Sequence, residues 1–411
     1  MLDKRKTEVK EIGRKKYSQF EKKLDSFIVK SKFTIPLFFV LLLIIFELTF
    51  SVGNFFANLV DTWGSFLFHL TGIENRFINA VFWGIMGVLI YIPNVFILYF
   101  FLYLLQDSGI LPRISFVFDK ILKKLGLSWD GFLSMFLGFW CTIPAILSTK
   151  TVEDRKERVL TIMMLPFISC SAKLPVFVLL ISAFIPAYLQ SLSLISVYVF
   201  GICMWVFSNW ILVFFLKHKK HKFRTHLPNY RIPRLGMILK QIYGVLKDFL
   251  RKITLFILPF SVFLTLIFSY PSTEDINNTY GAKVGKAIGI IFEPIGFNDK
   301  MSISVISGLV GKEIVVSTLG SLYYLEDTSN TDRLIEKMRK DTTITFPWVI
   351  SFLIFILLYT PCLWALFTVR MELWNYWAVF FLLYPTIFAW IISFLVYNLL
   401  VFFSNFLWFL W

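Results

Sequence analysis

Long apolar runs constrain the fold of this chain more than any other feature. Each of six runs approaches or exceeds the roughly 20 residues that a helix needs to cross a bilayer. The runs are residues 34–57, 81–106, 192–216, 250–270, 346–369 and 376–402. Backbone N–H and C=O groups inside lipid must find partners within their own segment, so runs of this length are predicted to be helices. The sequence therefore predicts an all-α protein that crosses a membrane several times.

The basic residues are clustered, and the clusters predict how the chain is oriented. Residues 1–32 carry eleven Lys and Arg against five acidic residues, and residues 217–252 carry eleven against one. Because an excess of Lys and Arg marks the cytoplasmic side, both segments are expected inside. The slightly acidic segments 58–80, 271–300 and 326–345 are expected outside. The net charge of +15 is thus interpreted as an orientation signal and a surface for anionic lipid, and no nucleic-acid partner is expected.

Two stretches of the chain align with each other and predict an internal repeat. Residues 125–146 lie over residues 295–316 at a constant offset of 170, and the offset rises to 192 between Cys170 and Cys362. The difference matches an extra charged loop at 324–345. An odd number of crossings separates the two copies, so they are expected to enter the membrane from opposite sides. Inverted repeats of this kind place the substrate site near the midplane, at broken helices.

Each copy is expected to contain a short re-entrant-type hairpin and a broken transmembrane helix. The hairpins are residues 131–149 and 300–323, and the breaks fall at CSAKLP (170–175) and YTPC (359–362). An amphipathic helix on the inner surface is predicted over 111–126. The predicted fold is thus an all-α polytopic membrane protein with two inverted-topology repeats.

The predicted organisation has six parts, with the N-terminus in the cytoplasm. They are a basic cytoplasmic N-terminal segment (1–32), two transmembrane helices (33–110), the first gate repeat (111–216), a basic cytoplasmic loop (217–249), the second gate repeat (250–375), and a final transmembrane helix with an apolar tail (376–411).

Ionisable residues inside the membrane are costly and point to function. Here they are Glu47 in the first span, Lys173 in the first break, and the adjacent Lys312 and Glu313 in the second hairpin. In an inverted repeat, Lys173 and Glu313 would approach one central cavity, as a structural ion pair or as a substrate or proton site. Glu47 has two possible roles: it takes part in transport, or it simply faces a polar cavity in the outer half of the membrane.

Three cysteines lie at corresponding breaks and suggest a metal. They are Cys141, Cys170 and Cys362, with Pro144 and Pro361 beside the first and the last. Unwound backbone frees carbonyls and thiolates add soft ligands, which together suit a late first-row divalent cation such as Fe2+ better than Mg2+ or Ca2+. Packing as small apolar side chains is the alternative. The chain has no CxxC pair, so neither a zinc finger nor a thioredoxin-type site is indicated. All four cysteines lie in apolar or motif-bearing membrane segments, and no structural disulfide is expected.

Several other candidates are weaker. Cys203, Met163 and Met164 are interpreted as packing residues. The four histidines lie in loops or at interfaces, and metal binding by them is not favoured: they are His69, His218, His221 and His226. GLVGK at 308–312 has the wrong spacing for a phosphate loop, so no enzyme activity is expected of this chain.

The motifs resemble the ferrous iron transport protein B (FeoB) family, in its membrane portion. The resemblance is carried by GFWCTIPAILSTKT from Gly138, PFISCSAKLPVFV at 166–178, GLVGKEIVVSTL at 308–319 and YTPC at 359–362, in family order. It covers about residues 24–400. It implies Fe2+ uptake across the bacterial cytoplasmic membrane, with Fe2+ as the transported substrate and no permanently bound cofactor.

The resemblance also assigns roles to residues. It implies that Cys141, Cys170 and Cys362 line the iron path, and it maps the family's Lys–Glu pair onto Lys312 and Glu313. The three thiols and the Glu313 carboxylate are therefore predicted to bind metal. The supporting residues of the path are predicted to be Ser171, Lys173, Lys312, Glu47, Pro144 and Pro361.

The sequence departs from the family pattern in three places. Trp140 replaces the usual Gly before the first Cys, and Lys173 replaces the usual Arg, which keeps the charge but loses the guanidinium fork. Only about 24 residues precede the resemblance, where the family carries a GTP-binding domain. The resemblance thus implies a separate small GTPase subunit and a small cytosolic Feo-type accessory protein as partners, beside membrane lipids, and a homo-oligomer is left open.

Three alternative functions stay open. A related gate-domain transporter for nucleosides or another small solute would bind its solute by hydrogen bonds from Asn, Gln or Glu. Few Asn or Gln side chains lie in the apolar segments, which counts against this alternative. An Mn2+ transporter would use the same ligands. A membrane scaffold without transport activity is disfavoured by the intramembrane charges and the broken helices.

Overall fold

The computed structural model describes residues 34–71, 128–216, 233–252, 280–309, 311–312, 314–323, 331–341 and 344–409, and single positions between 82 and 108. In these ranges the only regular elements are helices, so the predicted all-α class is confirmed. Fourteen α-helices have defined limits there. In chain order they are α1 (Thr34–Thr71), α2 (Trp129–Leu137), α3 (Thr142–Ser148), α4 (Arg155–Met164), α5 (Leu174–Phe184), α6 (Ala187–Leu216), α7 (Leu235–Lys252), α8 (Tyr280–Phe292), α9 (Asp299–Ser307), α10 (Ile314–Leu322), α11 (Thr331–Lys340), α12 (Phe346–Leu358), α13 (Leu363–Glu372) and α14 (Asn375–Phe409).

Four helical stretches of the described chain are long and apolar enough to cross a membrane. They are Arg155–Phe184, Ala187–Phe215, Phe346–Glu372 and Asn375–Ser404. The first and third each contain a break, between α4 and α5 and between α12 and α13. The second and fourth leave large apolar side chains exposed, such as Trp210 at 70%, as expected for helices that face lipid. The chain is therefore an integral membrane protein that crosses the bilayer more than once.

The order of helices in one half recurs in the other. Helices α2, α3, α4–α5 and α6 are matched by α9, α10, α12–α13 and α14, and α11 is inserted in the second set. Both ends of α2 and α9 differ by the predicted offset of 170. Their N-caps match as well: the Ser128 hydroxyl accepts from the Gly131 N–H, and the Asn298 amide oxygen accepts from the Met301 N–H. The repeat is thus present in the helices, while opposite orientation in the membrane stays a prediction.

The two hairpins are formed by helices too short to span a bilayer. α2, α9 and α10 have nine residues each and α3 has seven, against the roughly 20 that a crossing needs. A hydroxyl pair joins the arms of each hairpin, Ser148 to Ser134 at 2.8 Å and Thr318 to Ser307 at 2.9 Å. These short paired arms fit the predicted re-entrant form.

Proline sets the break in each long span. α4 ends at Met164 and is followed by a 3-10 turn, Leu165–Phe167, that contains Pro166. α12 ends at Leu358, three residues before Pro361. Because proline has no N–H, Pro361 cannot donate to the Leu357 carbonyl four residues earlier, so the helix cannot continue through it. The second break falls at the predicted YTPC motif, whereas the first begins at Leu165, five residues before the predicted CSAKLP motif, and ends within it at Lys173.

The core of the second half lies around α12. Phe352, Phe355 and Ile356 are fully buried and pack in one cluster with Phe177 and Leu180 of α5. The cluster joins side chains from both repeats. The two broken spans are therefore held together by apolar packing, with their breaks inside the protein.

The sequence predicts that the charged insert at 324–345 is a loop. This prediction is wrong, because the insert contains helix α11. Leu334 and Met338 stand four residues apart and are fully buried, and Arg339 donates to the Ala183 carbonyl at 2.6 Å, in the last turn of α5. Acidic Asp332 in the first turn and basic residues in the last turn also favour a helix. On the exposed face, the hydrogen bond from Lys340 lowers the pKa of the Glu336 carboxyl.

The chain divides into two compact units, and the first contains α1, the described positions between 82 and 108, and α7. α1 continues beyond the predicted span end at 57, as far as Thr71. In α7, Ile238 and Ile242 are buried against Tyr99 of the same unit. The second unit holds the two repeats. The predicted amphipathic helix 111–126 and most of the predicted span 250–270 lie outside the described residues, and the six-part division stays a prediction.

Replacing Gly308 by alanine is expected to destabilise the second hairpin by about 1–3 kcal/mol through overpacking. A Cβ there would lie 2.5 Å from Val315 Cγ2 and 2.7 Å from Tyr359 Oη. Thermal unfolding of the protein in detergent measures the effect. Gly236→Ala is the matched control, because nothing lies within 4 Å of that Cβ and alanine favours a helix. Equal melting temperatures for the two variants would contradict the close packing at Gly308.

Candidate functional site

The three motif cysteines each stand at the start of a helical turn. Cys141 precedes α3, Cys170 precedes a 3-10 turn at Ser171–Lys173, and Cys362 precedes α13, all with extended backbone. Cys170 is buried, the other two are half-buried, and none forms a disulfide. The predicted breaks therefore place every motif thiol in unwound backbone beside a helix end.

Backbone hydrogen bonds attach each broken span to its hairpin. Ser171 donates to the Trp140 carbonyl from both its hydroxyl, at 2.9 Å, and its N–H, at 3.4 Å. In the other half, the Leu363 N–H donates to the Leu309 carbonyl at 2.6 Å. Ser171 and Leu363 follow Cys170 and Cys362, so the attachment occurs at equivalent places. The Trp140–Ser171 bond brings the Cys141 and Cys170 motifs together.

Lys173 is buried at the centre of the two breaks. Its exposed fraction is 1%, and its ammonium donates to the Pro166 carbonyl at 3.1 Å and the Leu357 carbonyl at 2.5 Å. One carbonyl belongs to each repeat. Leu357 is the residue whose helical donor is removed by Pro361, so the lysine satisfies an acceptor that the sequence leaves open.

Lys312 reaches the same break from the second hairpin. It too is 1% exposed, donates to the Thr360 carbonyl at 2.9 Å and lies 2.9 Å from the centroid of the Tyr359 ring. A cation over an aromatic face is stabilised by the ring's negative potential. Two buried ammonium groups therefore donate to carbonyls at the second break, one at Leu357 and the other at Thr360.

The thiols of both repeats lie near these groups. Cys170 and Cys362 are both within electrostatic range of Lys173 and of the Tyr359 hydroxyl. One cysteine of each repeat therefore lies near Lys173, and metal binding by the two thiols stays a prediction. Among the described residues, no three His, Cys, Asp or Glu side chains form a preassembled metal site. The predicted ligand Glu313 lies outside the described residues, so the four-residue ligand set stays a prediction.

The remaining predicted residues have varied positions. Pro144 is buried inside α3 and Pro361 is buried at the second break. Glu47 is exposed on α1 in the first unit. The predicted Lys173–Glu313 pair includes Glu313, which lies outside the described residues, and the described partners of Lys173 are the two carbonyls.

The weaker candidates behave mostly as packing residues. Met163 and Met164 are fully buried in α4. Cys203 is exposed on α6, so it packs into no core formed by the described residues. His69 is at the end of α1, and the other three histidines lie outside the described residues.

Sequence reasoning missed Tyr359 as part of the site. The side chain is 1% exposed, and its hydroxyl has no hydrogen-bond partner among the residues that the structure describes. It stacks on Phe355 with ring centroids 5.0 Å apart. Its position in the YTPC motif was the available signal, but an aromatic residue in an apolar span is ordinarily core.

Sequence reasoning also missed an ionic contact between the repeats. Glu372, the last residue of α13, binds Lys150 at 2.9 Å and Arg158 at 3.0 Å. Both bases belong to the first repeat. Glu372 is largely buried, with 9% of its side chain exposed. Glu372 and Arg158 line an open cavity of about 550 Å³ together with Arg155 and Trp374.

Glu372→Gln is expected to lower the free energy of unfolding by about 1–3 kcal/mol, because two basic side chains lose a partly buried partner. Glu336→Gln is the matched control. Its pair with Lys340 is 66% and 73% exposed, and exposed pairs contribute little. Thermal unfolding of both variants in detergent measures the difference, and a loss at Glu336 as large as that at Glu372 would contradict it.

Two family models match the chain. Residues 88–184 and 250–373, more than half of the chain, match the Gate model described as nucleoside recognition. Residues 194–244 match the model of the ferrous iron transport protein B C terminus. Fold and matches together define the class: a helical membrane protein built from paired gate segments.

Curated relatives identify the family. The chain is 30% identical over 371 residues to the Fe(2+) transporter FeoB of Campylobacter jejuni, covering 85% of this chain and 60% of the relative. It is also 30% identical over 400 residues to the FeoB of Staphylococcus aureus, covering 92% and 59%. A third relative, in Porphyromonas gingivalis, is a Fe(2+) transport protein A/Fe(2+) transporter FeoB fusion protein, again 30% identical, with 95% and 53% covered. The chain spans about 60% of the length of the first of these relatives.

The chain belongs to the ferrous iron transport protein B family and corresponds to its membrane portion. No solved structure matches it.

Proposed function

We propose that this chain forms the permease that moves Fe2+ across the bacterial cytoplasmic membrane. The observation that supports the proposal is that Cys170 and Cys362, one from each repeat, both lie in unwound backbone and both lie near Lys173. Soft thiolates combined with backbone carbonyls that have no helical hydrogen bond suit Fe2+. The relatives that carry the name Fe(2+) transporter support the same substrate.

The proposed path runs through the break motifs. Cys170 and Cys362 bind the ion at the centre, and Cys141 takes part through the contact of its motif with Ser171. Glu313, next to Lys312, supplies a carboxylate. The basic segments 1–32 and 217–249 lie on the cytoplasmic side, where they hold anionic lipid.

The proposal includes partners. A small GTP-binding subunit supplies the nucleotide switch on the basic inner face, and a small Feo-type accessory protein acts beside it. The fusion of Fe(2+) transport protein A to one relative supports the accessory protein. No nucleotide chemistry is proposed for the residues of this chain.

Transport by the purified chain in liposomes tests the proposal. Vesicles loaded with an Fe2+-sensitive fluorescent chelator are expected to show Fe2+ entry above that of empty vesicles, under reducing conditions. Mn2+ in place of Fe2+ measures selectivity, and radiolabelled uridine tests the nucleoside alternative. Uridine entry without metal entry would overturn the proposal in favour of that alternative.

A further inference from the structure

The two buried lysines lie where a transported cation would be bound. The Lys173 ammonium donates to the carbonyls of Pro166 and Leu357, and the Lys312 ammonium to that of Thr360. All three acceptors are backbone oxygens at the breaks. Backbone carbonyls freed in this way are also the groups with which membrane transporters coordinate cations.

The ammonium of Lys173 also lies in range of both thiols proposed to bind Fe2+. A divalent ion bound by Cys170 and Cys362 would thus be close to a like charge. At 1% exposure, water screens this repulsion poorly. The metal and the ammonium therefore repel each other in one region, and both are attracted to its carbonyl oxygens.

From this geometry we infer that the ammonium of Lys173 takes the position of the transported ion while no ion is bound. Its ammonium occupies the carbonyls of Pro166 and Leu357 when the path is empty, and it withdraws on its flexible four-carbon stem when the ion binds. The freed carbonyls then add oxygen ligands to the thiolates. Lys312 does the same at Thr360. The lysines thus lower the affinity of the site, which lets the ion leave, and they satisfy the broken backbone between transport events.

The inference rests on the proposed function, because it takes the two thiols as ligands. It gives Lys173 a role that a purely structural lysine lacks. If the ammonium only satisfied carbonyls, removing its charge would leave metal affinity unchanged or weaken it. If it only stabilised thiolates, removing its charge would weaken metal binding. Competition alone makes the uncharged variant bind metal more tightly.

The test is a titration of the full chain in detergent with Co2+, which replaces Fe2+ without oxidation and gives a thiolate-to-metal absorption band. Lys173→Gln keeps hydrogen-bond donors for the carbonyls but removes the charge. It is expected to bind Co2+ about tenfold more tightly or better, as removal of a nearby like charge predicts. Lys173→Arg keeps the charge and is expected to bind no more tightly than the wild type. Lys156→Gln, on the exposed first turn of the same span, is the control.

Each outcome decides a different point. A band of equal or lower affinity in Lys173→Gln overturns the competition but leaves the thiol site in place. If neither the wild type nor Lys173→Gln shows the absorption band, both the ligand assignment and the competition are overturned. Fe2+ flux in liposomes still tests the proposed transport in that case. If Lys173→Gln does not fold, Lys312→Gln removes the second ammonium at the same break, and unchanged affinity there overturns the inference.

Discussion

Cys170→Ser is expected to lower the initial rate of Fe2+ uptake in liposomes by about tenfold or more, because a neutral hydroxyl is a much poorer ligand than a thiolate for late first-row metals. The change is nearly isosteric, so the fold should persist. Cys170 is buried at the first break and close to both Lys173 and Tyr359. Uptake is measured by quenching of an internal Fe2+-sensitive fluorophore, with equal amounts of reconstituted protein.

Cys203→Ser provides the matched control for this experiment. The same chemical change is made in a span of the same unit, but Cys203 is exposed on the surface of α6 rather than at a break. Its uptake rate should equal that of the wild type. Wild-type uptake in Cys170→Ser would show that this thiol is a packing residue, as a membrane cysteine ordinarily is.

Gly296→Ala is expected to have the largest effect on stability, a loss of about 2–4 kcal/mol from backbone strain and overpacking combined. Gly296 has a φ of +88° at the end of the 3-10 turn Glu293–Ile295. Only glycine adopts this left-handed conformation without cost. A Cβ there would also overlap the ring of Tyr397 on α14. Thermal or denaturant unfolding in detergent measures the loss.

A second substitution separates the two causes. In Gly296→Ala combined with Tyr397→Leu, the ring no longer blocks the Cβ, so part of the lost stability should return while the backbone strain remains. Gly244→Ala is the control, because its Cβ meets nothing within 4 Å. Full recovery in the double variant would mean that the positive φ contributes nothing, and no recovery would mean that the ring contact does not matter.

The paired breaks are features of the fold that the sequence largely predicts. The ends of α2 and α9 keep the offset of 170, and α12 ends before Pro361 as predicted. These features depend on local properties: a proline has no N–H to donate, and an apolar run has a countable length. Helix α11 was not predicted, because the insert is rich in charged residues. Leu334 and Met338 of α11 are buried against other parts of the folded chain, and such contacts cannot be predicted from the composition of the insert alone.

The candidate site, too, was predicted from the sequence only in part. The alignment placed Cys170 and Cys362 at equivalent positions, and the structure brings both near Lys173. The described partners of Lys173 were not foreseen, because a carboxylate is the usual counterion for a buried lysine and these acceptors are backbone carbonyls. Glu372 was not foreseen because it lies at the end of a span, where charges are usual.

The sequence by itself determined that this chain is an all-α membrane protein with a repeated, twice-broken pattern, because hydropathy, proline and the repeat offset act locally or by simple comparison. Only the tertiary structure decided which atoms meet at the breaks. Lys173 reaches the carbonyl of Leu357, 184 positions away, and Lys150 and Arg158 reach Glu372. Contacts of this kind depend on how the two repeats pack, and packing is a property of the folded chain as a whole.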